Sequence, residues 1–196
     1  MNKFKNLIVL GPLIYALHHF EEMIIFNFRE WRLRYFQDNN PISTEVILII
    51  LISLLLIAVF IHLIKNNRAS AHLVMYYLMT TQVANAFFHI YFSFYYQDFS
   101  PGTITASILY LPINYYIIRA AFNEGLLKNR FELGVLVFLG LTTFTIFEMI
   151  GPIVIQISIL LSVLYYIMLN RSRYAKKPLQ RIGSTFVCVK SWSLWE

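Results

Sequence analysis

The chain has 196 residues, 58% of them hydrophobic and 13% charged, with a formal net charge of +6 and one cysteine, Cys188. A water-soluble domain is nearer half apolar and a quarter charged, so there is too little polar surface here to cover a soluble fold. Disorder, a collagen-like fibre, a disulfide scaffold and an ordinary cytosolic enzyme are excluded; an all-α, polytopic integral membrane helix bundle is predicted.

Six apolar stretches follow in chain order, at about residues 7–28, 46–64, 72–96, 102–122, 133–150 and 152–169. Each has roughly the 17–25 residues that cross a bilayer core as a helix, and none alternates with the period of two that a strand requires. The first follows Met1-Asn-Lys-Phe-Lys and has the form of a signal sequence. Its apolar core runs into His18-His19-Phe20-Glu21-Glu22 without a small-residue cleavage site, so an uncleaved first span is expected. After it, Arg29, Glu30, Arg32 and Arg34 with Trp31, Tyr35 and Phe36 are expected to extend the helix at an interface. The last two stretches are parted only by Gly151-Pro152. Glycine closing one helix and proline opening the next predicts a hairpin of two short spans. Residues 1–170 thus form the membrane domain and 171–196 a basic tail.

Lysine and arginine orient the bundle. If the N-terminus and every second loop share a side, that side holds 13 of the 16 basic residues, and the other holds Arg29, Arg32 and Arg34. Positive charge marks the cytoplasmic face, so a multi-pass cell-membrane protein with both termini cytoplasmic is expected. The net charge is then a topology signal and no footprint of nucleic acid. Arg171, Arg173, Lys176, Lys177 and Arg181 are expected to lie on the anionic inner leaflet.

Polar residues inside the spans are costly and mark functional sites. At 100° per residue, Glu22 lies about 40° from His18, His19 about 100° and Glu21 about 60° the other way. Tyr15 shares that face. One sector therefore carries both imidazoles and both carboxylates and must face protein or water. The third stretch has a second stripe, Thr81, Asn85, His89 and Ser93 at successive fours, with Gln82 beside it. The fourth adds Thr103, Ser107, Tyr110 and Asn114, and Glu148 stands near the end of the fifth. His62 and His72 fall at span ends, where interfacial placement is cheap.

Histidine and carboxylate at i and i+4 are the spacing by which one helix offers several ligands to a metal. His18, Glu22, His89 and Glu148 would supply a nitrogen and oxygen set suited to zinc, iron or manganese, with Tyr15, His19, Asn85 and Asn114 as the groups that orient them. Without metal, His18, Glu21, Glu22 and His89 would serve as catalytic acid and base groups. The two histidine-bearing faces are expected to meet across the bundle, because either would be costly against lipid.

The run His18-His19-Phe20-Glu21-Glu22 resembles the motif that names the HXXEE family of membrane proteins. Asn85 with His89, and Ser100-Pro101-Gly102 before a helix, are similar to later segments of that family. The resemblance spans roughly residues 12–124 and implies the grouping without an activity. The residues themselves favour an intramembrane enzyme with a lipid-like or isoprenoid substrate. A proton-coupled transporter and a non-catalytic assembly protein are the alternatives.

Overall fold

Side-chain caps set four of the helix starts. Asn27, Ser43, Asn67 and Asn129 each accept the backbone N–H of the residue three positions on, satisfying donors that a helix N-terminus leaves free. The computed structural model describes residues 3–37 and 42–174. These form α1 (Lys3–Leu7), α2 (Leu10–Phe20), α3 (Phe28–Tyr35), α4 (Thr44–Lys65), α5 (Arg68–Leu78), α6 (Ala84–Tyr95), α7 (Thr103–Thr105), α8 (Leu111–Asn123), α9 (Arg130–Ile150) and α10 (Ile153–Tyr174). Single π-helical turns at Glu21–Ile25, Met79–Val83 and Ala106–Tyr110 join α2 to its end, α5 to α6, and α7 to α8. The described residues contain no strand.

Four helices are long and apolar enough to cross a membrane: Lys3–Ile25, Thr44–Lys65, Arg130–Ile150 and Ile153–Arg171. The continuous helical runs 68–95 and 103–123 carry the polar stripes. Residues 28–35 do not extend the first helix as expected. Phe26 and Asn27 leave helical geometry, and Asn27 caps the separate α3.

Contacts along α5 fix the direction of its neighbours. Arg68 pairs with Glu132, and Tyr76 bonds Thr143, so α9 runs parallel to α5. His72 bonds Tyr165, and Tyr77 bonds Ser162, so α10 runs the opposite way. Gly151, at φ 90°, makes the reversal between them. Close approach of α9 depends on Gly140, where a Cβ would fall 2.7 Å from Met79 Cβ. One end of the bundle gathers the N-terminus, whose Phe4 N–H donates to Glu124 Oε1, together with His62, Arg68 and Tyr165. The opposite end holds Arg32 with Glu148 and Tyr35 with Asp98. The start of α1 and the later part of α10 therefore lie at the same end.

Polarity is distributed inside out. His18, Glu21, Glu22, His89 and Asn114 are buried, while Ile24, Phe94, Phe131, Met149 and Met168 are among the large apolar side chains left exposed. His62 and His72, expected at an interface, are only 1% exposed. His62 Nδ1 bonds Ser70 Oγ at 2.9 Å, and His72 lies between Tyr165 and the Leu126 carbonyl. Both tie helices together where loops fold back over them. Of the basic tail, residues 175–196 lie outside the described part, and the inner-leaflet expectation lies largely there.

Candidate metal centre

The i, i+4 spacing of His18 and Glu22 survives the change of helix type at Glu21. His18 Nε2 lies 3.3 Å from Glu22 Oε1. From α6, His89 Nε2 reaches the same oxygen at 3.0 Å. One ligand atom from each of the three falls within 4.8 Å of the others, and all three side chains are buried. Two ligands bound at about 2.0–2.2 Å to one ion, at angles between octahedral and tetrahedral, stand roughly 2.9–3.5 Å apart. The two separations from Glu22 Oε1 fit that spacing.

The outer nitrogen fixes the tautomer of His18. His18 Nδ1 lies 2.8 Å from Thr105 Oγ1, whose own proton goes to the Gly102 carbonyl. His18 therefore donates from Nδ1 and keeps a lone pair on Nε2, which also meets Asn85 Nδ2 at 3.1 Å. His89 Nδ1 is held by Ser100 Oγ at 2.9 Å. Its Nε2 is buried and makes no hydrogen bond among the described residues, despite its closeness to Glu22. A buried nitrogen facing a carboxylate oxygen outside hydrogen-bond geometry is what a shared cation would resolve.

Glu21 is drawn elsewhere. Its Oε1 accepts the Gly102 and Ile104 N–H groups at 3.1 and 3.2 Å, and its Oε2 accepts Thr105 N–H at 2.7 Å. It is the anion at the start of the helical run 103–123, where free N–H groups gather. By fixing Thr105 it positions His18. The structure does not bring Glu21 to the three ligands.

Glu148 does not join them either; Arg32 Nη2 donates to its Oε2 at 3.1 Å. Asn114 also stands apart. It donates to Gln82 Oε1 and to the Tyr110 carbonyl, and Gln82 in turn donates to the Gly11 carbonyl. This brace ties three helices behind the site. His19 lies 2.6 Å from Glu22 Oε2 through Nδ1, with the Tyr15 ring edge-on to it. The Tyr110 ring lies tilted against His18, with centroids 4.6 Å apart. The stripe expected along the fourth stretch is out of phase at one position. Ser107 is exposed and Thr105 faces His18, because the π turn Ala106–Tyr110 adds a residue to the local register.

Sequence reasoning assigned no role to Ser100, Gly102 or Thr105. Gly102 packs directly on the cluster. At φ +97° it adopts a conformation that only glycine takes freely, and a Cβ there would lie 2.6 Å from His18 Cε1 and 3.1 Å from His89 Cε1. The signal was present in Ser100-Pro101-Gly102, since glycine after proline marks a turn with positive φ.

A family model described as "Protein of unknown function with HXXEE motif" matches residues 9–117. The chain belongs to this HXXEE family. The matched region contains every residue of the HXXEE cluster described above, from His18 through His89 to Thr105, and ends within α8. No curated protein and no solved structure matches the chain.

Beside the cluster lies a cavity of about 370 Å³. Glu22, His19, Tyr15 and Asn85 line it, together with the apolar Ile47, Leu48, Leu51 and Leu54 of α4. Glu22 is thus common to the three-residue cluster and the cavity, which leaves one approach to the cluster from the cavity side.

Proposed function

We propose that the HXXEE chain is a six-span membrane protein, both termini cytoplasmic, whose His18, Glu22 and His89 hold a divalent metal and act on a lipid-like, isoprenoid-type substrate in the adjoining cavity. One observation carries the reading: two imidazole Nε2 atoms converge on a single carboxylate oxygen, and one of them is buried without a hydrogen bond. Two histidines and one carboxylate leave coordination positions open, as catalytic zinc and non-haem iron sites do.

When bound, the ion would act as a Lewis acid toward a polar group of the substrate. The protein's own residues do the rest. Thr105 and Ser100 fix the imidazoles, Glu21 fixes Thr105, and His19 stands at the cavity wall where a proton can be taken up or returned. The apolar walls exclude water. Large apolar side chains facing outward, with carboxylates and imidazoles inside, support insertion in lipid.

Elemental analysis of detergent-purified protein tests the metal. Wild type, purified without chelator, is expected to carry about one zinc, iron or manganese ion per chain, and His18→Ala little or none. Wild type that takes up none of the three would overturn the reading. Topology has its own check. A reporter fused after Leu169 should behave as cytoplasmic and one near Asn40 as external. The reverse pattern would refute the orientation drawn from the charge count.

A further inference from the structure

Polar atoms lining a cavity that the protein itself leaves unpaired show where a ligand's polar atoms belong, because buried donors and acceptors need partners. At one end of the cavity beside the metal centre, the hydroxyls are satisfied internally. Tyr76 OH bonds Thr143, Tyr77 OH bonds Ser162, and Thr80 and Thr81 donate back to carbonyls of the preceding turn. That end asks for nothing polar. The opposite end differs. Arg32 uses Nη2 on Glu148, while its Nε is buried and makes no hydrogen bond among the described residues. Arg29 lines the same mouth, as do Ser43 and Thr44 at the start of α4. The N-terminus of a 22-residue helix adds partial positive charge there. The nearby carboxylates are Glu148, already paired, Glu22, held among three histidines, and Glu45, which is exposed and within electrostatic reach of Arg29.

Between the two ends the wall is apolar. Ile47, Leu48, Leu51 and Leu54 follow one face of α4, and Thr44 to Leu54 spans about 15 Å of helix. A volume of about 370 Å³ is near the lower end for ligand pockets, suited to one chain rather than two. His19, whose Nδ1 lies against Glu22 and whose Nε2 makes no hydrogen bond among the described residues, also lines the cavity.

We propose that this cavity takes a single-chain amphiphile with an anionic head, a carboxylate or a phosphate monoester, its head on Arg32 and its chain along α4 toward Tyr76. This names the substrate class for the site proposed above and rests on the reading that the cavity serves the metal centre. Arg32 and Arg29, both lining this mouth, supply the cationic donors that an oxyanion needs, and the chain displaces water from an apolar wall.

Displacement of a fluorescent fatty-acid probe from purified protein in phosphatidylcholine nanodiscs tests this. Dodecanoate and dodecyl phosphate should displace the probe at concentrations about tenfold or more below those of dodecanol and dodecylphosphocholine, the usual gain from a charge-assisted bond. Whichever anion is stronger identifies a fatty-acid or a phosphate head. Arg32→Gln should erase the preference. Because that variant leaves Glu148 unpaired, Arg32→Gln/Glu148→Gln serves as the folded control: it should bind dodecanol as wild type does and show no anion preference. Glu148→Gln alone should tighten both anions. Equal displacement by anion and alcohol in wild type, or an anion preference retained in the double variant, would overturn the proposal. So would no displacement by any of the four amphiphiles. Metal content measured on the same samples separates the two readings. A metal-free wild type that keeps the Arg32-dependent preference sinks the metal centre alone, and a metal-loaded protein without the preference sinks the head assignment alone.

Discussion

Protein carrying His89→Ala is expected to lose its metal as completely as His18→Ala does, whereas His62→Ala should keep a full complement. The contrast is informative because the two histidines look alike by burial, at 0% and 1% exposed. Both also have one ring nitrogen on a serine hydroxyl and the other buried without a hydrogen bond. They differ in what the second nitrogen faces. His89 Nε2 lies 3.0 Å from Glu22 Oε1 and within the three-residue cluster, while His62 has the Phe4 ring edge against it. Removing His89 deletes a ligand. Removing His62 deletes a bond to Ser70 and some packing, a loss of about 1–3 kcal/mol in stability with the metal untouched. Elemental analysis together with thermal unfolding in detergent reads both effects. Equal metal content in wild type and His89→Ala would place the ion elsewhere.

Local spacing made part of this site legible. His18 and Glu22 share a face because four residues make slightly more than one turn, and Asn85 and His89 share one for the same reason. The cost of a histidine against lipid then brings the two faces together without further information. What could not be read are the features created by tertiary contact. Glu21 looks equivalent to Glu22 on a helical wheel, yet it turns to N–H groups more than 80 positions away. Arg32 looks like an interfacial cation until Glu148, 116 positions on, is found against it. Regular periodicity also places Ser107 on the polar stripe, and a π turn moves it to the surface. In the fold, the apolar runs and the Gly151-Pro152 reversal follow from composition and turn chemistry. The break at Asn27 does not, because one asparagine inside a mixed segment is a weak signal until its side chain is seen capping α3.

The same limit explains why Gly102 escaped notice as a site residue and why its replacement should be severe. An alanine there meets two penalties at once. Holding a non-glycine residue at positive φ costs on the order of 1–2 kcal/mol, and φ at this position is +97°. The added methyl would also sit 2.6 Å from His18 Cε1 and 3.1 Å from Glu22 Cγ. Overpacking of that kind typically costs a further 1–3 kcal/mol. Those atoms cannot yield freely, because His18 is held through Thr105, and the Glu22 carboxylate is held among His18, His19 and His89. Relief must come from moving the imidazoles or from shifting the start of the helical run 103–123. Either opens the spacing between Nε2 atoms and carboxylate on which a shared ion depends. Gly102→Ala is therefore expected to lower both thermal stability and metal affinity, the latter by about 10–100-fold, the range seen when groups supporting metal ligands are disturbed. Gly125→Ala is the control. Gly125 also has positive φ, at 67°, but a Cβ there meets nothing within 4 Å. It should share the backbone penalty and keep the metal. Titration of metal-stripped protein with zinc separates the outcomes, and equal affinity in the two variants would mean that Gly102 serves the turn alone.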